Sequence, residues 1–133
     1  MNISKEGIEF LKDREGFRAV PYKDTAGLDT IGFGHKILKG EHFGSIGSME
    51  ATSLLLKDLD FPISVITNAV EVHLEQCQFD ALCSFVYNVG AHAFGTSTLL
   101  KVLNEEKYGE ASNELLKWCM DTVNGTKVRK QTF

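Results

Sequence analysis

The sequence predicts an α+β fold in the order helix, small sheet, helical lobe. Three observations carry this. Residues 4–16 space their apolar side chains for a short amphipathic helix. Residues 18–47 are glycine-rich and β-prone, and end in a loop around Gly40, Gly44 and Gly47. From Ser48 onward apolar residues recur at helical spacing.

In the first helix Ser4 is a good N-cap, and Ile3 and Ile8 stand at the positions of a hydrophobic staple. Ile8, Leu11 and Glu15 fall at i, i+3 and i+7, which puts Glu15 on the same face as residues expected to be buried. Gly16 supplies the stop. Taken alone, a glutamate in a last turn is an ordinary exposed residue. Two strand-like runs follow, RAVPYKD and TIGFGH, separated by the turn Thr25-Ala26-Gly27-Leu28-Asp29. A hairpin folded on that turn brings Asp24 and Thr30 together across its mouth, with Glu15 facing them over a gap. Ser48 is expected to cap a helix to about Asp60, with Met49, Thr52, Leu55, Leu56 and Leu59 on one face, and Pro62 to start another. The segment 75–89 is apolar nearly all round, as in a central buried helix, and Gly90 stops it. Thr96 or Ser97 caps the next helix, and a last one runs from about Lys107 to Cys119.

A length of 133 residues allows one domain, or two small lobes sharing a core. The net charge of −4 argues against nucleic acid as a partner, because phosphate binding wants clustered Lys and Arg. The opening MNISKEGIEF has no basic flank followed by an apolar core, so a signal peptide or membrane anchor is not expected. The three cysteines, Cys77, Cys83 and Cys119, are expected to be reduced. Cys77 and Cys83, on one helix, would lie roughly 9 Å apart along its axis, too far to bridge. His35, His42, His73 and His92 lack ligand spacing and the cysteines do not complement them, so a metal site is not expected. His35 reads as a structural hydrogen-bonding or ion-pairing residue beneath the site. The Gly32-Phe33-Gly34 run lacks the spacing and the Lys-Ser/Thr end of a phosphate loop.

The acid pair is the informative motif. Glycoside hydrolysis needs one carboxyl held protonated for the leaving oxygen, and a group across the sugar that handles water or attacks the ring. Glu15, at the negative end of a helix dipole and partly against apolar residues, suits the acid. Asp24 and Thr30 suit the water side, as a carboxylate to accept a proton and a hydroxyl to fix the water.

Glu15, Asp24 and Thr30, spaced by eight and five residues within EGFRAVPYKDTAGLDTIGFGH, closely resemble the active-site region of the phage-type lysozymes, glycoside hydrolase family 24. A second patch, FVYNVG at 85–90 and FGTSTLL at 94–100, resembles the cleft-lining segment of that family's helical lobe. The resemblance runs from about residue 3 to Trp118. It implies a lysozyme-like fold: a small β-hairpin lobe (about residues 15–60), and a larger helical lobe (61–133 with the N-terminal helix), joined by a long helix. It also implies a muramidase that cuts the β-1,4 bond between N-acetylmuramic acid and N-acetylglucosamine, with peptidoglycan lying between the lobes. It implies no cofactor. By motif match Lys36, Tyr87 and Thr98 fall where relatives touch the sugar chain.

Relatives usually continue past Trp118 through an Arg-bearing helix and a closing segment. Here Lys127, Arg129 and Lys130 are expected to be a remnant of that helix, with a shortened C-terminus and self-association over the uncovered surface. With no export signal expected, the protein should gather in the bacterial cytoplasm until a factor such as a holin opens the membrane, after which it acts on the wall. Two other classes remain open: a glycan-binding relic that has lost its chemistry, and a muramidase effector or bacteriocin domain delivered by another machine.

Overall fold

The structure, a computed structural model, describes residues 1–116, 120–123 and 126–129, with side chains described to residue 114. The chain divides into two compact units, one of residues 8–60 and the other of residues 1–7 and 61–133. Helix α1 (Lys5–Glu15) and helix α2 (Ser48–Ala69) each begin in one unit and end in the other. Most of α1 therefore groups with the strands, where the sequence reading had set it with the helical lobe.

Between these helices lies a three-stranded antiparallel sheet of β1 (Arg18–Lys23), β2 (Asp29–Gly32) and β3 (His35–Lys36), in that order. The run TIGFGH is thus not one strand but a second hairpin, because Gly32 and Gly34 take φ values of 69° and 87° and reverse the chain around Phe33. Thr30 pairs with Tyr22 on one side and with Lys36 on the other. The β1–β2 register shifts between Arg18 and Tyr22, a stretch that contains Pro21, which has no N–H for the ladder. Gly32 also brings β2 close to α2: a Cβ there would stand 3.1 Å from Cβ of Ala51. The Ile46 N–H bonds the carbonyl of Ala19 (2.9 Å), which ties the long loop back to β1.

Helix α2 continues through Pro62 for 22 residues, where the sequence suggested two helices. Pro62 is itself buried, with Leu59 and Ile66 one turn to either side also buried, so packing along α2 outweighs the lost backbone bond. The inward stripe is Ala51, Leu55 and Leu59; Met49, placed on that face from sequence, is 86% exposed, and Leu56 is also exposed.

In the helical unit α3 (Gln76–Val89) is central, with Phe79 and every residue from Ala81 to Val86 buried. Its start is held by a reciprocal capping box between Glu75 and Gln78. Around it lie the short α4 (Ala91–Gly95), then α5 (Thr98–Asn104) and α6 (Tyr108–Leu116). Ser97 is the cap of α5, its hydroxyl accepting the Leu100 N–H at 3.1 Å. The core cluster gathers Ile66, Leu74, Phe79, Leu82, Phe85, Val86, Phe94, Leu99, Leu103 and Ala111, among others. Residues 120–123 (β4) and 126–129 (β5) form an antiparallel hairpin. Lys127 and Arg129 therefore lie on a strand, not on the remnant of a basic helix; Trp118, Cys119 and Lys130 lie outside the described residues. Cys77 is exposed and Cys83 buried, both as free thiols.

Candidate active site

Asp24 is held by the turn it begins. Its Oδ1 accepts the N–H groups of Ala26 (2.9 Å) and Leu28 (2.8 Å). Backbone bonds from Asp24 N–H to the Leu28 carbonyl and from Gly27 N–H to the Asp24 carbonyl, both 2.9 Å, close the loop. An aspartate that captures the backbone of its own turn has little freedom left in its carboxylate plane. Gly27, at φ 81°, supplies the left-handed residue the turn needs.

The second oxygen of Asp24 faces Lys36. Cross-strand pairing of Thr30 with Lys36 sets the lysine beside both groups: Nζ lies 2.5 Å from Asp24 Oδ2 and 3.4 Å from Thr30 Oγ1. Thr30 in turn donates its hydroxyl to the Leu28 carbonyl at 2.9 Å. Asp24 and Thr30 do meet at the hairpin mouth, but through the ammonium. Thr30 is fully buried, while the Asp24 side chain keeps 17% exposure. The Lys36 hydrogen bond, followed by that from Leu28, holds the Asp24 carboxyl below the usual carboxylate range.

Glu15 ends α1 and is followed by Gly16 at φ 74°, whose N–H returns to the Lys12 carbonyl at 2.9 Å. Its carboxyl is half-buried and has no hydrogen bond to a described residue. Burial pushes its pKa up, against the opposing pull of the charges on Arg14 and Lys36. The two acids of the motif are thus driven apart, one toward the protonated form and one toward the ionised form. Such a split is what general acid chemistry beside a fixed carboxylate requires.

Beside Lys36 in β3, His35 is buried between two carboxylates, Glu41 Oε1 on Nε2 and Asp58 Oδ2 on Nδ1, each at 2.8 Å. It ties β3 to the loop and to α2, the structural role expected from sequence. Its two partners carried no sequence signal, being six and 23 residues away in segments read only as loop and helix. The Lys36–Asp24 pair was also missed; reading Gly32-Phe33-Gly34 as a turn would have set residue 36 opposite residue 30. Tyr87, on α3 and partly buried, and Thr98, exposed at the start of α5, belong to the helical unit. No group of three or more metal-ligating side chains gathers among the described residues.

Comparison with known proteins gives the family. The model described as phage lysozyme matches residues 12–132. The chain belongs to the phage lysozyme family. That match extends past Trp118, beyond the stretch over which the sequence showed the resemblance. Among lysozyme relatives, the endolysin of Acyrthosiphon pisum secondary endosymbiont phage 1 is 39% identical over 131 residues, covering 96% of this chain and 86% of the relative. The endolysin of Salmonella phage P22 is 40% identical over 122 residues, covering 89% and 84%. A solved structure, the muramidase domain of SpmX from Asticaccaulis excentricus, superposes with a TM-score of 0.81 at 34% identity, covering 96% of this chain and 86% of that one.

Proposed function

We propose that this phage lysozyme hydrolyses peptidoglycan at the β-1,4 bond between N-acetylmuramic acid and N-acetylglucosamine, with Glu15 as general acid and Asp24 and Thr30 on the water side. The observation that carries the reading is the split between the acids. Glu15 is held toward its protonated form by burial. Asp24 is held ionised by Lys36 and the Leu28 N–H. Protonation of the leaving oxygen by Glu15 opens the glycosidic bond, the negative charge of Asp24 favours the oxocarbenium-like transition state, and the Asp24 carboxylate takes the proton lost by the attacking water. Thr30, whose hydroxyl is buried beside Asp24 and Lys36, joins as the water's hydrogen-bonding partner. Tyr87 and Thr98 complete the proposal as sugar contacts from the helical unit, and Lys36 as one from the small unit.

Mass analysis of the muropeptides released from purified peptidoglycan tests the reading. Products with reducing muramic acid ends support it; intact glycan strands would overturn it. Access to the wall from the host cytoplasm through a holin belongs to the same proposal, and co-expression with and without a holin, read as culture lysis, checks it. Self-association is read by sedimentation, where a monomer would remove it.

A further inference from the structure

Lys36 stands in an unexpected place for a residue that merely touches sugar. Its ammonium has three donors, and two are directed to Asp24 Oδ2 at 2.5 Å and Thr30 Oγ1 at 3.4 Å. The side chain is 49% exposed and no part of the core depends on it. Its place is set by strand register, since Lys36 is the Cα partner of Thr30 across β2 and β3. The same charge is felt by Glu15 at the end of α1.

We propose that Lys36 is the positioning residue of the site: it binds Asp24 and Thr30 into one unit and places a fixed positive charge at the hairpin mouth, so that it sets the pH range of the reaction. The proposal rests on the assignment of Glu15 and Asp24 given above.

Among the described residues the other charges around the cluster are engaged elsewhere or act on one acid. On β1, Arg18 lies over the Tyr22 ring, 4.3 Å from its centroid. From α1, Arg14 acts on Glu15. On the hairpin, Lys23 pairs with Asp29 at 2.6 Å, both well exposed. From β3, the loop and α2, His35, Glu41, Asp58 and Lys57 interact among themselves. Among the described residues Lys36 alone acts on both acids. A positive charge favours the ionised form of each. Its removal therefore moves both limbs of the pH–activity profile in one direction, toward higher pH. The acid limb rises because Asp24 is harder to ionise, and the alkaline limb rises because Glu15 keeps its proton longer.

The test is Lys36→Met and Lys36→Arg in the full chain, with kcat and KM on soluble peptidoglycan followed across pH. Carboxyl NMR titration of Asp24 and Glu15 is run alongside without substrate. The expected result is that Lys36→Met displaces both limbs and both titrations upward and lowers kcat several-fold at the acid end. Lys36→Arg returns them toward the parent. A rise in KM with unmoved limbs and titrations would mean that Lys36 only contacts sugar, and would overturn the proposal. So would displacement of one acid without the other. The titrations read Lys36 independently of catalysis. If Glu15→Gln and Asp24→Asn both keep full activity while the titrations move as expected, it is the assignment of the acids that fails.

Discussion

Asp80 holds the start of the chain: its Oδ1 accepts the backbone N–H of Ser4 at 2.9 Å and its Oδ2 accepts the Ser4 hydroxyl, across 76 residues of sequence. Ser4 in turn receives the Gly7 N–H at 3.1 Å, so the cap of α1 is itself anchored on α3. Gly7 has no side chain for the same reason. A Cβ there would stand 2.7 Å from Asp80 Cγ and 2.8 Å from Ile3.

Gly7→Ala should therefore destabilise the protein by about 1–3 kcal/mol through overpacking, despite alanine's better helix propensity. Asp80→Ala should cost a similar amount by orphaning the Ser4 donors, about 1–3 kcal/mol. The pair should be non-additive, since Asp80→Ala removes the nearest of the atoms that Gly7→Ala strikes. Denaturant titration of the two single variants and the double variant checks this; simple additivity would refute the shared contact.

Glu15→Gln should fold normally and lose activity by about 10²–10⁴-fold, the range of a missing general acid. It should also melt higher than the parent. The folded-state pKa of Glu15 is raised above its unfolded value, so the ionised carboxyl costs stability at neutral pH, and glutamine removes that cost. Peptidoglycan turnover within a few-fold of the parent would exclude Glu15 as the acid.

His35 predicts a pH dependence of stability. Burial works against its protonated form, but the hydrogen bonds to Glu41 and Asp58 prevail, and its folded pKa lies above 6.5. Its contribution is present below the unfolded value and is lost as pH rises through the folded value. Glu41, whose pKa is lowered first by the Leu38 N–H and then by His35, contributes above its unfolded value and loses that as pH falls. Asp58, raised by burial, partly offsets Glu41 in the acid range. The melting temperature should therefore fall as pH climbs from mildly acidic through the histidine range. In His35→Asn that slope should flatten; an unchanged slope would assign the dependence to other groups.

The stereochemistry of cleavage follows from the water side. Among the described residues Thr30 has no histidine on its hydroxyl to act as base, and Asp24 has both oxygens engaged by donors. Neither is an obvious nucleophile toward the sugar, so direct attack by water with inversion is expected. NMR of the nascent reducing end should show the α anomer of muramic acid first. An initial β product would mean a retaining route, and anhydro-muramic ends a transglycosylase.

The sequence alone determined what depends on near neighbours. The cap at Ser4, the choice of Thr96 or Ser97 for the cap of α5, the stops at Gly16 and Gly90, the buried character of α3 and the turn after Asp24 all rest on residues within a few positions of one another. The Glu15–Asp24–Thr30 spacing was legible for the same reason: one helix end and one turn carry it. Tertiary structure decided the rest. It carried α2 through Pro62, where local propensity favours a break, because burial on either side of the proline outweighs one lost hydrogen bond. It turned Met49 outward and folded TIGFGH into two strands. It gave His35 its two carboxylates and Lys36 its place on Asp24, because those partners meet only after strand register is set. The glycine turn at 32–34 sets that register locally, but the close approach of Gly32 to Ala51, 19 positions away, is a contact no local pattern encodes.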